Sequence, residues 1–225
     1  MLKSVKAADF PLNLLPKYEL EREEESGERR YRTPDGIFPS VTTVIGKYYK
    51  KDLSGWIQRV GGPEAAERVK QRAADNGTLL HAILEKALYN EDWAEGQDSI
   101  DVMRFTPVFR KKLLPNVTRV YGSEYPLWSK SLGTAGTTDG IVDWNGEQTI
   151  LDLKTTMKYK QEEWVSNYFC QAACYALMAN EIYKMNITRL VLIFSQDNFQ
   201  CYHFEKNLSE WVDEVHKVFN GTDSN

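Results

Sequence analysis

The sequence predicts an α/β protein with a central mixed β-sheet flanked by helices. Three observations carry this expectation. The apolar runs Ile141–Trp144 and Thr149–Thr156 flank Asn145-Gly146, a pair suited to the positive φ angles of a tight hairpin turn. The segment from Gln161 to about Met185 reads as a long helix, with Tyr168, Gln171, Tyr175 and Met178 on one stripe and small Ala172, Ala173 and Ala176 to approach a sheet. Two strand-like runs then return, Thr188–Ser195 and Gln200–Phe204. Helix, strand, hairpin, helix, strand, strand is the order of an α/β core.

Bulk properties narrow the class. A chain of 225 residues is long enough for one sizeable core. It has no apolar run of about 18 residues, so no membrane span is expected. No signal-peptide apolar run opens it, and its early glutamates are foreign to a mitochondrial transit peptide. Three cysteines make no disulfide framework and suggest a reducing compartment, so the expected location is cytoplasmic (the host cytoplasm, if the source is viral). The net charge of −4 weighs mildly against diffuse nucleic-acid binding.

In chain order, residues 1–27 read as an irregular arm and 28–75 as a hairpin and helical segment. A core over 76–220 and a frayed tail over 221–225 complete the division. Thr33-Pro34-Asp35-Gly36 is a turn, because Pro sets φ and Gly supplies φ > 0. Ser40 is placed to cap a helix beginning at Val41. Tyr48, Tyr49, Lys50, Lys51, Trp56 and Arg59 mix aromatic faces with cations. They suit either stacking on unpaired bases beside phosphates or an ordinary helix end whose tyrosines enter the core. Asn76-Gly77 is expected to interrupt the helices, and the next helix carries His81, Leu84, Glu85 and Leu88 on one stripe. His81 there is either a ligand or a hydrogen-bonded core residue. A strand over about Thr118–Leu127 is expected at a sheet edge, which tolerates Pro126; its Glu124 is a buried site carboxylate or an edge charge.

The chemistry concentrates between Gly133 and Thr156. Asp139 is expected to open the first hairpin strand. Asp152 and Lys154, two apart on the second, project from one face, with Leu151 and Leu153 on the other. Charges on so apolar a strand are costly unless paired or holding a metal. A strand-end ion pair is the simplest account of Asp152 and Lys154 alone.

Gly136-x-x-Asp139, Asp152-Leu153-Lys154 and the later Gln171-x-x-x-Tyr175 resemble, in order and spacing, the PD-(D/E)xK nuclease superfamily in its RecB-like exonuclease branch. Gly77-x-x-x-His81-x-x-x-Glu85 matches that branch's first motif. Pro39–Val44 is similar to the opening of the mitochondrial genome maintenance exonuclease and phage-like relatives. The resemblance spans roughly Pro39 to Tyr183. It implies a restriction-endonuclease-like core with a helical N-terminal extension. The implied activity is metal-dependent DNA hydrolysis, from single-stranded ends, in recombination, repair or degradation. A structure-specific or nicking endonuclease, or an inactive nucleic-acid-binding protein, would share the same outline. Lys154, Asp152, Asp139, Gln171 and Tyr175 would be catalytic. His81, Asp139, Asp152 and the Leu153 carbonyl would hold Mg²⁺ or Mn²⁺, with Glu85 and Glu124 behind them. Residues 28–75 would admit the DNA. Three cysteines are too few for the iron–sulfur cluster of some relatives, so none is expected.

Overall fold

The computed structural model describes residues 8–25, 27–50 and 52–220. Lys51 and the expected tail 221–225 therefore lie outside the described residues. Two sheets form. The smaller has order β1(Glu21–Glu25)-β2(Glu28–Thr33)-β3(Gly36–Pro39). Helices α1(Val41–Tyr48), α2(Ser54–Arg59), α3(Pro63–Leu88), α4(Ser99–Val108) and α5(Leu114–Asn116) follow, with a π-helical stretch at Phe109–Leu113. The larger sheet has order β4-β5-β6-β7-β8, from β4(Val117–Ser129), β5(Thr134–Trp144), β6(Glu147–Thr156), β7(Arg189–Gln196) and β8(Cys201–Asn207). Helix α6(Ser166–Tyr183) is the crossover that makes β6 and β7 parallel; every other neighbouring pair is antiparallel. Helix α7(Val212–Asn220) closes the described chain.

The expected mixed α/β core is present. Its five-stranded sheet is covered on one face by α1, α6 and α7, whose Val41, Ile45, Ala172, Tyr175 and Val215 pack with Ile141 and Ile150. On the other face Leu80, Ile83, Leu84 and Leu88 of α3 and Phe105 of α4 pack with Val142, Leu151 and Leu153. Asn145 and Gly146 take φ of 52° and 84°, the mirror-image turn that the hairpin between β5 and β6 requires. Ser40 caps α1, its Oγ accepting from Thr43 N at 3.1 Å. The turn at residues 33–36 joins β2 to β3 as expected.

Four expectations need correction. Within the expected irregular arm, the described residues from Ala8 onward are partly ordered. Glu21–Glu25 pairs with β2, Ala8 and Phe10 are buried, and residues 11–15 lie along β4 through Val120 N→Pro11 O, Asn13 N→Val120 O and Leu15 N→Tyr121 O. Asn76-Gly77 does not interrupt a helix: α3 runs unbroken through it, so the expected boundary at 75/76 falls mid-helix. The buried stripe Leu80–Leu88 outweighs the roughly 1 kcal/mol that an interior Gly costs. Asp139 does not open its strand but is the sixth residue of β5, because the glycine-rich stretch from Thr134 pairs with β4. Finally, Tyr49 is not an open stacking face. Its ring packs against the α6–α7 core and its hydroxyl donates to Glu214 at 2.6 Å.

Candidate active site

The large sheet forks at the site. The β5–β6 ladder ends at Gly140↔Leu151. Beyond that pair β5 stays with β4, from Thr138↔Tyr125 to Thr134↔Ser129, while β6 stays with β7, from Asp152↔Leu192 to Thr156↔Gln196. Asp139 and Asp152 are the first residues past the last shared pair, so two acids face an opening that no strand fills. By alternation they share the α6 side of the sheet with Ile141 and Ile150.

Side chains bridge the fork where the ladder does not. Asp139 Oδ2 accepts from Leu153 N at 2.7 Å. From the opposite face α3 brings His81, whose Nε2 lies 2.9 Å from Leu153 O and 3.5 Å from Asp139 Oδ2. With the proton on Nε2, the ring donates to Leu153 O and turns Nδ1 toward Glu124 Oε1, 3.6 Å away.

Glu124 reaches that position by an unusual route. A register shift between Val120 and Gly122 bulges β4 just before it, and Glu124 itself has φ of +46°. A left-handed conformation at a non-glycine residue costs of order 1–3 kcal/mol and persists only where the surroundings impose it. Its Oε1 is buried without a hydrogen-bond partner. Burial first, and then the Asp139 charge, push its pKa up to about 7 against the opposing pull of His81. Glu85, one turn after His81 on α3, adds to that upward push.

The other half of the fork is an ion pair. Asp152 is 1% exposed, and Lys154 Nζ lies 2.8 Å from each of its oxygens, with hydrogen-bond geometry to Oδ1 only. Burial pushes Asp152 up to about 6, with Lys154 opposing. Burial would lower Lys154, but Asp152 and Asp139 outweigh it and leave its pKa raised, so the ammonium stays charged. Lys154 Nζ also lies 3.4 Å from Gln171 Oε1 and 5.2 Å from the centre of the Tyr168 ring. Tyr175 is buried beneath the fork, and burial holds its hydroxyl in the protonated form. It comes so close to β5 that a Cβ at Gly136 would sit 2.7 Å from its Oη. Gly136 thus admits Tyr175, a close approach that only glycine allows.

His81, Glu124 and Asp139 form the metal-capable group, with ligand atoms all within 4.8 Å of one another. Glu124, expected behind the ligands, is a member; Asp152, expected as a ligand, is engaged by Lys154. The orphaned Oε1 of Glu124 and the mixed N/O donor set fit a divalent cation. Sequence reading left Glu124 open between a buried site carboxylate and an edge charge, and set it behind the ligands rather than among them. The available signal was Gly122 in a strand, which marks a bulge: a side chain there would run into the Tyr125 ring.

The proposed nucleic-acid residues scatter. Tyr48 is exposed with Lys217 5.8 Å above its ring, Lys50 and Arg59 are exposed, and Trp56 is half-buried on α2, which packs on α3. Cys170 and Cys174 are buried on α6, and Cys201 is on β8. Among the described residues no helix is long and apolar enough to cross a membrane.

No family model and no curated protein matches the chain. Solved structures that align with it include one from Eubacterium rectale whose description as an exonuclease is provisional, at 13% identity over 81% of both chains and a TM-score of 0.45. A protein designated SSO0001 aligns at 14% identity over 82% of this chain and 76% of its own, with a TM-score of 0.40. Rai1 of Scheffersomyces stipitis aligns at 17% identity over 90% of this chain but 51% of its own, with a TM-score of 0.31. Similarity at this level carries no functional argument; the chemistry rests on the fork itself.

Proposed function

We propose that the chain is a divalent-metal-dependent deoxyribonuclease that hydrolyses phosphodiester bonds from single-stranded ends. The observation that carries this reading is the divided fork. A buried carboxylate oxygen without a donor faces His81 and Asp139, and a charged lysine is held one strand away by its own acid. That is an arrangement for a cation and a phosphate together. His81, Glu124 and Asp139 would hold Mg²⁺ or Mn²⁺, with Asp152 and the Leu153 carbonyl adjoining. A bound ion supplies Lewis acidity, polarising a phosphate and making hydroxide available near neutral pH. Lys154 aims its ammonium at the charge that develops on phosphate oxygens. Asp152 and Gln171 fix that ammonium in place, and Tyr175 supports the strands beneath it. The motif order that resembles RecB-like nucleases agrees with these roles.

Selection of free ends rests on topology. The segment from Lys50 through α2 joins α1, on the α6 face of the sheet, to α3, on the opposite face. Ser40, just before α1, bridges to Ala135 of β5, and α3 ends that crossing at the fork with His81. A crossing of this kind can arch over a single strand and require it to thread. Digestion of end-labelled single-stranded, duplex and closed circular single-stranded DNA, with Mg²⁺, Mn²⁺ or EDTA, tests the reading. The expected result is metal-dependent loss of linear single strands and survival of the circle. Cleavage of the circle would make the protein an endonuclease.

A further inference from the structure

We propose that the loop leaving β6, Met157–Trp164, is a stacking lip for the bases of single-stranded nucleic acid beside the phosphodiester site. This rests on the nuclease reading for its substrate class, but on separate residues.

Strand β6 delivers Asp152 and Lys154 and ends at Thr156. The chain then exposes Met157 at 70%, Tyr159 at 56% and, on the short 3-10 helix Glu162–Val165 that ends the segment, Trp164 at 58%, a concentration of open apolar surface in eight residues. Single exposed apolar residues need no explanation, but a cluster does. The loop is also tied down: Thr156 Oγ1 donates to Lys158 O at 2.7 Å, Lys160 N donates to Tyr202 Oη at 2.9 Å, and Glu162 pairs with Lys206 at 2.5 Å. Tyr159 leans on Tyr202, ring centres 4.6 Å apart, and still remains more than half exposed. The apolar faces are held outward, so a ligand meets them with little ordering cost.

Charge identifies the ligand. Lys158 is exposed in the loop, and Lys160 Nζ lies 5.0 Å over the Tyr168 ring and 3.2 Å from its hydroxyl. Lys154 lies 5.2 Å over that same ring. The Tyr168 ring is therefore shared by the site's lysine and a lysine of the lip, which brings the two cations to one neighbourhood. Cations spaced beside open rings match phosphates spaced beside bases. Glu163 is the exposed acid of the lip. A duplex hides its base faces, so the lip favours unpaired strands.

The test uses dT12 in EDTA, where the oligonucleotide stays intact. It should quench tryptophan fluorescence, and Trp164→Phe should remove most of the quench while holding affinity within about threefold, since a ring remains. Tyr159→Ala with Trp164→Ala should weaken dT12 binding by about tenfold or more, with melting close to that of the unaltered chain because both side chains are exposed. A normally melting double variant with parental dT12 affinity overturns the lip. So does a quench that survives Trp164→Phe and vanishes in Trp56→Phe, a measurement that stands even if the double variant fails to fold. Hydrolysis of bis(p-nitrophenyl) phosphate by the unaltered chain with Mn²⁺ tests the nuclease reading apart from the lip. Ring-dependent dT12 binding without hydrolysis would sink that reading and support the lip.

Discussion

Asp139 and Asp152 stand side by side at the mouth of the fork, on adjacent strands and on the same face of the sheet, and their surroundings answer them by opposite means. Asp152 has a dedicated cation, Lys154, at 2.8 Å. Asp139 has a backbone N–H from Leu153 and otherwise looks onto His81 and the under-satisfied Glu124. One half of the site is nearly complete as folded. The other gathers acids, and burial first, then the Asp139 charge, push Glu124 up to about 7. The closed half prepares a fixed positive charge; the open half prepares a place for a mobile one.

The comparison can be broken most directly by removing the ion. EDTA should reduce hydrolysis of labelled DNA to background, because His81, Glu124 and Asp139 are completed only by the ion; cleavage that persists after thorough chelation would refute the division. Next in size is Lys154→Ala. Hydrolysis should fall at least 10²–10³-fold. Stability should fall too, by about 3 kcal/mol, because Asp152 is left buried and unpaired. Mn²⁺ affinity, measured by calorimetry, should stay within a few-fold. A large loss of Mn²⁺ affinity would show that the two halves are one.

His81→Ala probes the open half alone. Imidazole suits Mn²⁺ better than Mg²⁺, so Mn²⁺-supported hydrolysis should drop further, on the order of tenfold more, than Mg²⁺-supported hydrolysis. Equal losses would make His81 only the tie to Leu153. Gly136→Ala asks whether the floor of the fork is rigid. The added methyl meets Tyr175 Oη at 2.7 Å and should cost about 1–3 kcal/mol. Tyr175→Phe in the same chain should recover part of that, and denaturant midpoints that simply add would argue against the contact.

The smallest effect is a gain. The folded pKa of Glu124 is raised above its ordinary 4.5, so the folded chain binds that proton more tightly than the unfolded chain. The associated stability is present below about pH 4.5 and lost as pH rises toward about 7. Metal-free protein should therefore melt higher at pH 6 than at pH 8. Glu124→Gln should raise the pH 8 melting temperature by about 2–4 °C, taking roughly 1 kcal/mol after allowance for solvent screening, while lowering metal affinity. A variant that melts lower at pH 8 would mean Glu124 is well satisfied without an ion.

Much of this arrangement was legible because it is written in local pattern. Asn145-Gly146 announces its own turn, and the Asp152-x-Lys154 alternation correctly put both charges opposite Leu151 and Leu153. The stripe of α3 placed His81 inward. What escaped depends on tertiary context. Beyond Gly122, which hints at a bulge, no sequence feature says that Glu124 is turned to φ of +46°. Nothing in Tyr49 distinguishes a stacking ring from one pinned to Glu214, 165 residues away. The exposure of Trp164 was equally silent, because apolar residues near a helix start usually face inward.

Residues 11–15 have a consequence for how the molecule coexists with copies of itself. Strand β4 is one of the two outer strands of the large sheet, and this strap occupies its backbone near Val120 and Tyr121, while Tyr125 donates its hydroxyl to Leu15 O. Bare outer strands recruit other strands and seed aggregation. The strap denies that stretch of the β4 edge to a second chain. Cleavage after Pro16 should leave the fork intact yet turn a dispersed protein into one whose association grows with concentration, visible as rising light scattering.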